Sequence, residues 1–194
     1  MRDATAESDV LVLRRWRVED APALREALDE SLDSLRRWMS WGHEEPSTPE
    51  ALEARLRAHA EEFAAGLRWR YAVWLGRTRR LAGGAGLRAG AGPDALEVSY
   101  WVRSGCRRRG VAAGAAAALV RHAFLARRAA RVYICVDEGN EASAAVANSL
   151  GFDFEGALTR ERPDGRPRPM LAYRLDALSA LRAPARWRVE VVDE

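Results

Sequence analysis

Residues Trp101–Phe124, WVRSGCRRRGVAAGAAAALVRHAF, join a strand-like run to a long helix through a turn rich in arginine and glycine. The unpaired amides of a helix's first turn and the positive end of its dipole attract anions. Small residues from Gly110 to Gly114 let a ligand approach the backbone, and Arg107, Arg108 and Arg109 add positive charge beside it. The stretch therefore predicts an anion-binding turn, with a capped amphipathic helix that has a solvated basic start as the alternative.

Composition narrows the class of protein. The 194 residues suit one domain with its own core, and 48% hydrophobic with 30% charged residues is typical of a globular chain. The net charge of +3 does not require a nucleic-acid partner, because acidic and basic residues are interleaved through most of the chain. All 31 basic residues are arginine, which excludes a P-loop lysine and a Schiff-base lysine.

The sequence carries no signature of a metal site or a membrane segment. Cys106 and Cys135 form no metal-ligand pattern, and His59 has no second ligand at metal spacing. The N-terminal stretch MRDATAESD is polar, and no run approaches the roughly 20 apolar residues of a membrane span. We expect a soluble cytoplasmic protein with reduced thiols, no metal and no membrane partner.

Hydrophobic periodicity divides the chain into strands and helices. Three neighbouring strands at 67–75, 81–88 and 96–102 predict an antiparallel meander. The other predicted strands cover residues 10–16, 131–136, 152–162, 170–175 and, as a candidate extra strand, 187–192. The predicted helices cover residues 18–29, 32–41, 47–65, 111–124 and 141–150. We expect one domain over residues 1–177 and a C-terminal extension over 178–194.

Three motifs also occur together in a known family. Residues 107–112, RRRGVA, match a Q/R-x-x-G-x-G/A turn. Residues 140–143 (NEAS) and 149–152 (SLGF) match N-x-x-S and L-G-F elements around a helix, and residues 35–41 (LRRWMSW) match a tryptophan-bearing helix. With these motifs the chain resembles the GNAT N-acetyltransferase family, and within it the Rim-type branch that acetylates protein N-termini and small amines.

The resemblance implies a fold and an activity. The fold is an α/β (α+β) GNAT fold, with a mixed, mainly antiparallel seven-stranded sheet, helices on both faces, and strands four and five splayed around acetyl-CoA. The activity is acetyl-CoA-dependent transfer of an acetyl group to a primary amine, either a protein or peptide N-terminal α-amine or a small-molecule amine. The alternative is an acyl-CoA-binding sensor or interaction module with little turnover. A homodimer stays open, and nucleic-acid binding would require a broad basic surface.

The resemblance also implies which residues bind the cofactor. Backbone amides from Arg108 to Ala113 receive the pyrophosphate, and strand-edge groups of Trp101 and Val102 bind the pantetheine amides. Asn140 hydrogen-bonds the pantetheine arm. The full expected set is Trp101, Val102, Arg107, Arg108, Arg109, Gly110, Val111, Ala112, Ala113, Asn140 and Ser143.

Two catalytic candidates follow from the same resemblance. Glu97 is the candidate base for the amine proton, with a salt-bridged or solvent-facing strand carboxylate as the alternative. Many relatives carry a tyrosine where this chain has Ala147, so Ser143 is the candidate partner of the leaving sulfur, with a helix-cap serine as its alternative. The weaker substitutes are Tyr173 for the acid and Asp137, Glu138 and Glu161 for the base.

The acceptor is expected beside the helices that follow the first strand. Trp38, Trp41 and His43 are the candidate substrate residues, although tryptophans at helical spacing also serve as core. Cys106 lacks a base partner, which argues against a Cys-His nucleophile and favours direct transfer.

Overall fold

A computed structural model describes residues 10–78, 80–182 and 186–193, and their strands form one sheet in the order β6-β7-β5-β4-β3-β2-β1-β8. The strands are β1 (Val10–Arg15), β2 (Arg68–Leu75), β3 (Arg80–Ala89), β4 (Ala95–Val102), β5 (Arg131–Asp137), β6 (Asp153–Glu161), β7 (Pro167–Leu175) and β8 (Arg188–Val192). The helices are α1 (Ala21–Trp38), α2 (Pro49–Ala64), α3 (Val111–Leu125) and α4 (Glu141–Ser149), and a 3-10 turn spans Ser40–Glu44.

The sheet opens between its strands β4 and β5. Strands β1 to β4 are antiparallel neighbours, as are β5, β7 and β6, while β4 and β5 run parallel. The β4–β5 pairing covers only Ala95 to Glu97, which face Arg131 to Tyr133. Beyond Glu97 the two strands separate, which confirms the predicted mixed sheet and its splay between strands four and five.

The C-terminal strand enlarges this sheet from the expected seven strands to eight. Strand β8 pairs in parallel with β1, and Val10 faces Arg188. The side chain of Trp187 is buried just before β8, and the Tyr71 hydroxyl donates to Asp193 Oδ1 at 2.8 Å beyond it. The candidate extra strand is therefore confirmed as part of the same chain's sheet, and the domain boundary at residue 177 stays a prediction.

Helix α1 is continuous where the sequence predicted a break near residue 29. That prediction is wrong because Leu24, Leu28 and Leu35 bury one face of a single helix across the junction, where no glycine or proline intervenes. Helix α2 adds Leu52 and Leu56 to the same apolar cluster. Together α1 and α2 cover one face of the sheet near β3, where Leu81 joins their cluster.

Small residues bring the start of α3 close to the sheet. A Cβ on Gly114 would stand 3.0 Å from Leu11 Cδ1 and 3.3 Å from Trp187 Cβ, closer than most real contacts. Ala116 and Leu119 of α3 are also buried, in the apolar cluster that contains Leu11 and Trp187. The close approach places the first turn of α3 beside the end of β4, where the sheet opens.

Within residues 10–78, 80–182 and 186–193 no helix is long and apolar enough to cross a membrane. The same ranges contain no group of three or more histidine, cysteine, aspartate or glutamate residues that could hold a metal ion.

Candidate active site

A cavity of about 660 Å³ opens where β4 and β5 separate, and we call it the large cavity. Its walls come from the free end of β4, the first turn of α3, strand β5 and the start of α4. The predicted cofactor residues that line it are Trp101, Val102, Arg107, Arg108, Gly110, Val111, Ala112, Ala113, Asn140 and Ser143. Arg109 does not line it, so the structure brings together all but one of that set.

The turn before α3 presents backbone amides to the large cavity. Gly110 is the helix N-cap in the left-handed conformation, with φ at 76°, and no side chain caps the helix. The helical hydrogen bonds begin with Gly114 N–H to Gly110 O at 2.9 Å, so the amides of Val111 to Ala113 precede the hydrogen-bond ladder. Free amides at the positive end of a 15-residue helix suit a pyrophosphate.

The open edge of β4 suits the rest of the cofactor. Residues Val98 to Val102 are paired with β3, but within the described residues they have no partner on the β5 side. Their free backbone groups can hydrogen-bond the two amides of a pantetheine arm as a neighbouring strand would. The side chain of Trp101 packs against Gly84 of the neighbouring strand β3. A Cβ added to Gly84 would stand 2.6 Å from Trp101 Nε1.

Trp187 supports the turn from behind, a role that the sequence did not predict. Its indole N–H donates to the Arg109 carbonyl at 2.8 Å, and its ring packs next to Gly110 and Gly114. The carbonyl of Arg109 thus faces the C-terminal segment. The only signal in the sequence was a lone tryptophan at the start of the last predicted strand, 187–192.

Tyr100 and Ser143 bridge the opening between β4 and α4. Their hydroxyl oxygens lie 3.0 Å apart, and the Tyr100 hydroxyl also donates to the Ser143 carbonyl at 3.3 Å. Burial raises the pKa of Tyr100 to about 12, although the hydrogen bond with Ser143 partly opposes it. Tyr100 therefore remains protonated at neutral pH. The sequence placed Tyr100 on a strand but gave no indication of this pairing.

The helix cap that was the alternative role for Ser143 is made by Asn140 instead. Asn140 is the N-cap of α4, and its Oδ1 accepts from the Ser143 N–H at 3.2 Å. The cap uses the Ser143 backbone and leaves the Ser143 hydroxyl to Tyr100. Both side chains still line the large cavity.

Glu97 lines the large cavity at the point where β4 and β5 part, but its carboxylate is engaged. Arg88 donates to Oε1 at 2.6 Å, and Arg160 donates to Oε2 at 2.5 Å. Burial alone would raise the pKa of Glu97, but the hydrogen bonds from Arg160 and Arg88 outweigh it and hold the pKa below its ordinary value. The salt-bridged alternative describes this geometry, and a base role for Glu97 stays a prediction.

Of the weaker candidates, only Asp137 lines the large cavity. Tyr173 is buried in β7 with its ring centroid 5.7 Å from that of Phe154, as a core residue would be. Asp137 lines the large cavity but is paired with Arg168 at 2.5 Å. The exposed carboxylates Glu138 and Glu161 do not line it.

The three predicted acceptor residues occupy different places. Trp38 lines the large cavity, and its carbonyl accepts from Arg168 Nη2 at 3.0 Å. Trp41 lies between the large cavity and a second cavity of about 310 Å³, with its ring centroid 6.2 Å from that of Trp101. His43 is exposed and lines neither cavity. The structure thus brings two of the three to the site.

Comparisons with known proteins agree with this architecture. A family model described as an acetyltransferase (GNAT) domain matches residues 10–153. RimL, a ribosomal L7/L12 α-N-protein acetyltransferase solved with coenzyme A, has a TM-score of 0.78 at 21% identity, covering 89% of this chain and 97% of that chain. Mycobacterium smegmatis RimJ, in complex with CoA-disulfide, has a TM-score of 0.78 at 24% identity, covering 91% and 87%.

The microcin C7 self-immunity acetyltransferase MccE, solved with acetyl-CoA and AMP, has a TM-score of 0.78 at 16% identity and covers 87% of this chain and 93% of that chain. At these identities the solved structures show a common fold. A search of curated proteins found no match.

Proposed function

Because the chain belongs to the GNAT acetyltransferase family and is an acetyl-CoA-dependent N-acetyltransferase, we propose which amine it acetylates and which residues act. The proposed acceptor is a primary amine, either the N-terminal α-amine of a protein or peptide or that of a small molecule. The observation that carries this proposal is the junction of two cavities at Trp41, one fitted to the cofactor and one open to an acceptor. A cytoplasmic location and a homodimer stay predictions.

In this proposal the backbone holds the cofactor. The amides of Val111 to Ala113 receive the pyrophosphate, since they precede the first helical hydrogen bond of α3 and lie at the positive end of its dipole. The free edge of Val98 to Val102 binds the pantetheine arm, which places the acetyl group near the Tyr100–Ser143 bridge. Arg107 and Arg108 add positive charge at the cavity wall.

Acetyl-CoA supplies an acetyl group that is already activated as a thioester. As the amine nitrogen bonds to the carbonyl carbon and the C–S bond breaks, the sulfur needs a proton. We assign that proton to Ser143 Oγ, with Tyr100 passing its own proton to Ser143 across their 3.0 Å contact and regaining one from the solvent, to which the amine proton is lost. The high pKa of Tyr100 keeps it protonated at neutral pH before this step.

The amine proton needs only a weak acceptor. An α-amine has a pKa of about 7.7 to 8.0, so a sizeable neutral fraction exists near pH 7.5. Glu97, whose oxygens are engaged by Arg88 and Arg160, is proposed to act through water rather than by direct contact. Its two arginine partners make it a weaker base than a free carboxylate.

A thiol-release assay tests the proposed function. The protein is incubated with acetyl-CoA and, separately, with N-terminal peptides, amino acids and simple amines, and free CoA thiol is measured. We expect release above background with at least one primary amine and none with the N-acetylated form of the same compound. Binding of acetyl-CoA without release for any acceptor would instead favour the sensor or interaction module.

A further inference from the structure

The second cavity, which we call the small cavity, lies under α1 and α2 against strands β2 to β4. Its volume is about 310 Å³, enough for a side chain or a small molecule but not for the cofactor. Most of its wall is apolar, from Trp16, Leu24, Leu28, Met39 and Trp41. The residues that line both cavities are Met39, Trp41, Arg70, Gly86, Ser99, Tyr100 and Trp101, so the two cavities are adjacent.

The ionisable wall of the small cavity is basic. Among its lining residues within the described ranges, the basic side chains are Arg55, His59 and Arg70, and no carboxylate is present. Arg55 is paired with Glu45 at 2.5 Å and Arg70 with Glu62, but neither glutamate lines the cavity. A group inside the cavity therefore meets the positive members of these pairs first.

His59 carries an unmet hydrogen-bonding atom in this wall. Its Nδ1 is buried and has no hydrogen-bond partner among the described residues. Burial lowers the pKa of His59 to about 3, with further lowering by the charges of Arg70, Arg55 and Arg68. A neutral imidazole with an unpaired buried nitrogen costs stability unless a bound group satisfies it.

We propose that the small cavity binds a carboxylate of the acceptor, held by His59 and the adjacent Arg55 and Arg70. An anion would meet the positive wall, and a neutral His59 that carries its proton on Nδ1 would donate to it, which would give the unpaired nitrogen a partner. The apolar remainder of the wall would surround the hydrocarbon segment that carries the carboxylate. This inference rests on the proposed function, because it specifies that enzyme's acceptor as an amine that also bears a nearby acid.

Matched acceptors test the proposal on the full chain. Peptides that differ only in Asp against Asn or Glu against Gln at their first two positions are compared by kcat/KM, with acetyl-CoA saturating. A charge-assisted hydrogen bond contributes about 1.5–3 kcal/mol, so we expect roughly a 10- to 100-fold preference for the acid. Acetylation of acid and amide at equal rates would overturn the inference and leave the proposed function intact.

Two variants locate the preference. His59→Leu removes one partner and should lower the acid-to-amide ratio about fivefold, the loss of one hydrogen bond of about 1 kcal/mol. Arg57→Gln is the matched control, since Arg57 lies on the same helix, is exposed and pairs with Glu53 at 2.8 Å outside the cavity. An equal fall in both variants, or no fall in His59→Leu, would contradict a carboxylate at His59.

A second readout does not depend on turnover. The imidazole protons of His59, assigned by their loss in His59→Leu, are titrated by NMR with the N-acetylated acidic peptide and with its amide counterpart. An adjacent carboxylate should raise the pKa of His59 by about 1 to 3, whereas the amide should leave it unchanged. If neither compound shifts the pKa of His59, the inference fails, even if no acceptor is acetylated.

Discussion

Replacing Trp187 by phenylalanine tests whether the C-terminal segment positions the pyrophosphate turn. The substitution removes the 2.8 Å hydrogen bond from the indole N–H to the Arg109 carbonyl and keeps an aromatic ring against Gly114. Such a bond contributes about 1 kcal/mol net. If that energy holds the turn in its binding conformation, its loss weakens CoA binding by at most about fivefold. Isothermal titration with CoA measures this directly.

A control on the same segment separates this effect from general loosening. Asp193→Asn disturbs contacts with Tyr71 and Arg127 at the far end of β8, away from the turn. Both variants should lower the free energy of unfolding, by about 0.5–3 kcal/mol as ordinary substitutions do. Only Trp187→Phe should raise the Kd for CoA. An unchanged Kd in Trp187→Phe, or an equal rise in Asp193→Asn, would refute the positioning role.

Three further predictions concern single side chains. Ser143→Ala and Tyr100→Phe should each lower kcat more than they change the KM for acetyl-CoA, because the bridge acts on the leaving sulfur; steady-state kinetics in which only KM changed would contradict that role. Glu97→Gln should lower the free energy of unfolding in urea by about 1–3 kcal/mol, because charged hydrogen bonds are lost, and an unaltered pH profile of kcat/KM would remove Glu97 from the base role. The pKa of His59 falls from 6.5 in the unfolded chain to about 3 in the fold, so the stability linked to it is present above pH 6.5 and is lost as pH falls towards 3. His59→Leu should therefore make the free energy of unfolding, measured from denaturation curves, depend less steeply on pH. An equally steep dependence in the variant would show that His59 is protonated in the fold.

The turn before α3 was predictable because the information that specifies it is local. The anion-binding turn depends on consecutive residues around Gly110, whose conformation and backbone amides follow from a glycine at the start of a helix. Strand alternation likewise located β4, although the extent of its pairing to β5 required the structure. The local sequence thus predicted the turn before α3, but not how far β4 and β5 separate beside it.

The side-chain contacts around the candidate site were not predictable because they join residues that are far apart in the sequence. Tyr100 and Ser143 are 43 positions apart, and Arg109 meets Trp187 across 78. No periodicity encodes such pairs, since they depend on how α4 and β8 pack against the sheet. The burial of Glu97 was hidden for the same reason.

The wrongly predicted break in helix α1 had a different cause. Its predicted break came from treating the tryptophan-bearing motif as a separate helix, whereas one apolar stripe runs through to Leu35. The chain then turns within Ser40–Glu44 and delivers Trp41 to the wall between the cavities. His43 follows in the same turn but faces solvent, so adjacency in sequence was a poor guide to adjacency at the site.

Mass spectrometry of the acceptor shows whether this chain transfers acetyl groups to a primary amine. A peptide with a free N-terminus and an acidic second residue is incubated with acetyl-CoA and a substoichiometric amount of the protein. We expect one added acetyl group on the α-amine, in molar excess over the protein and greatly reduced with Ser143→Ala. CoA binding without acetylated product beyond the protein-free control, over the same acceptor panel, would contradict it.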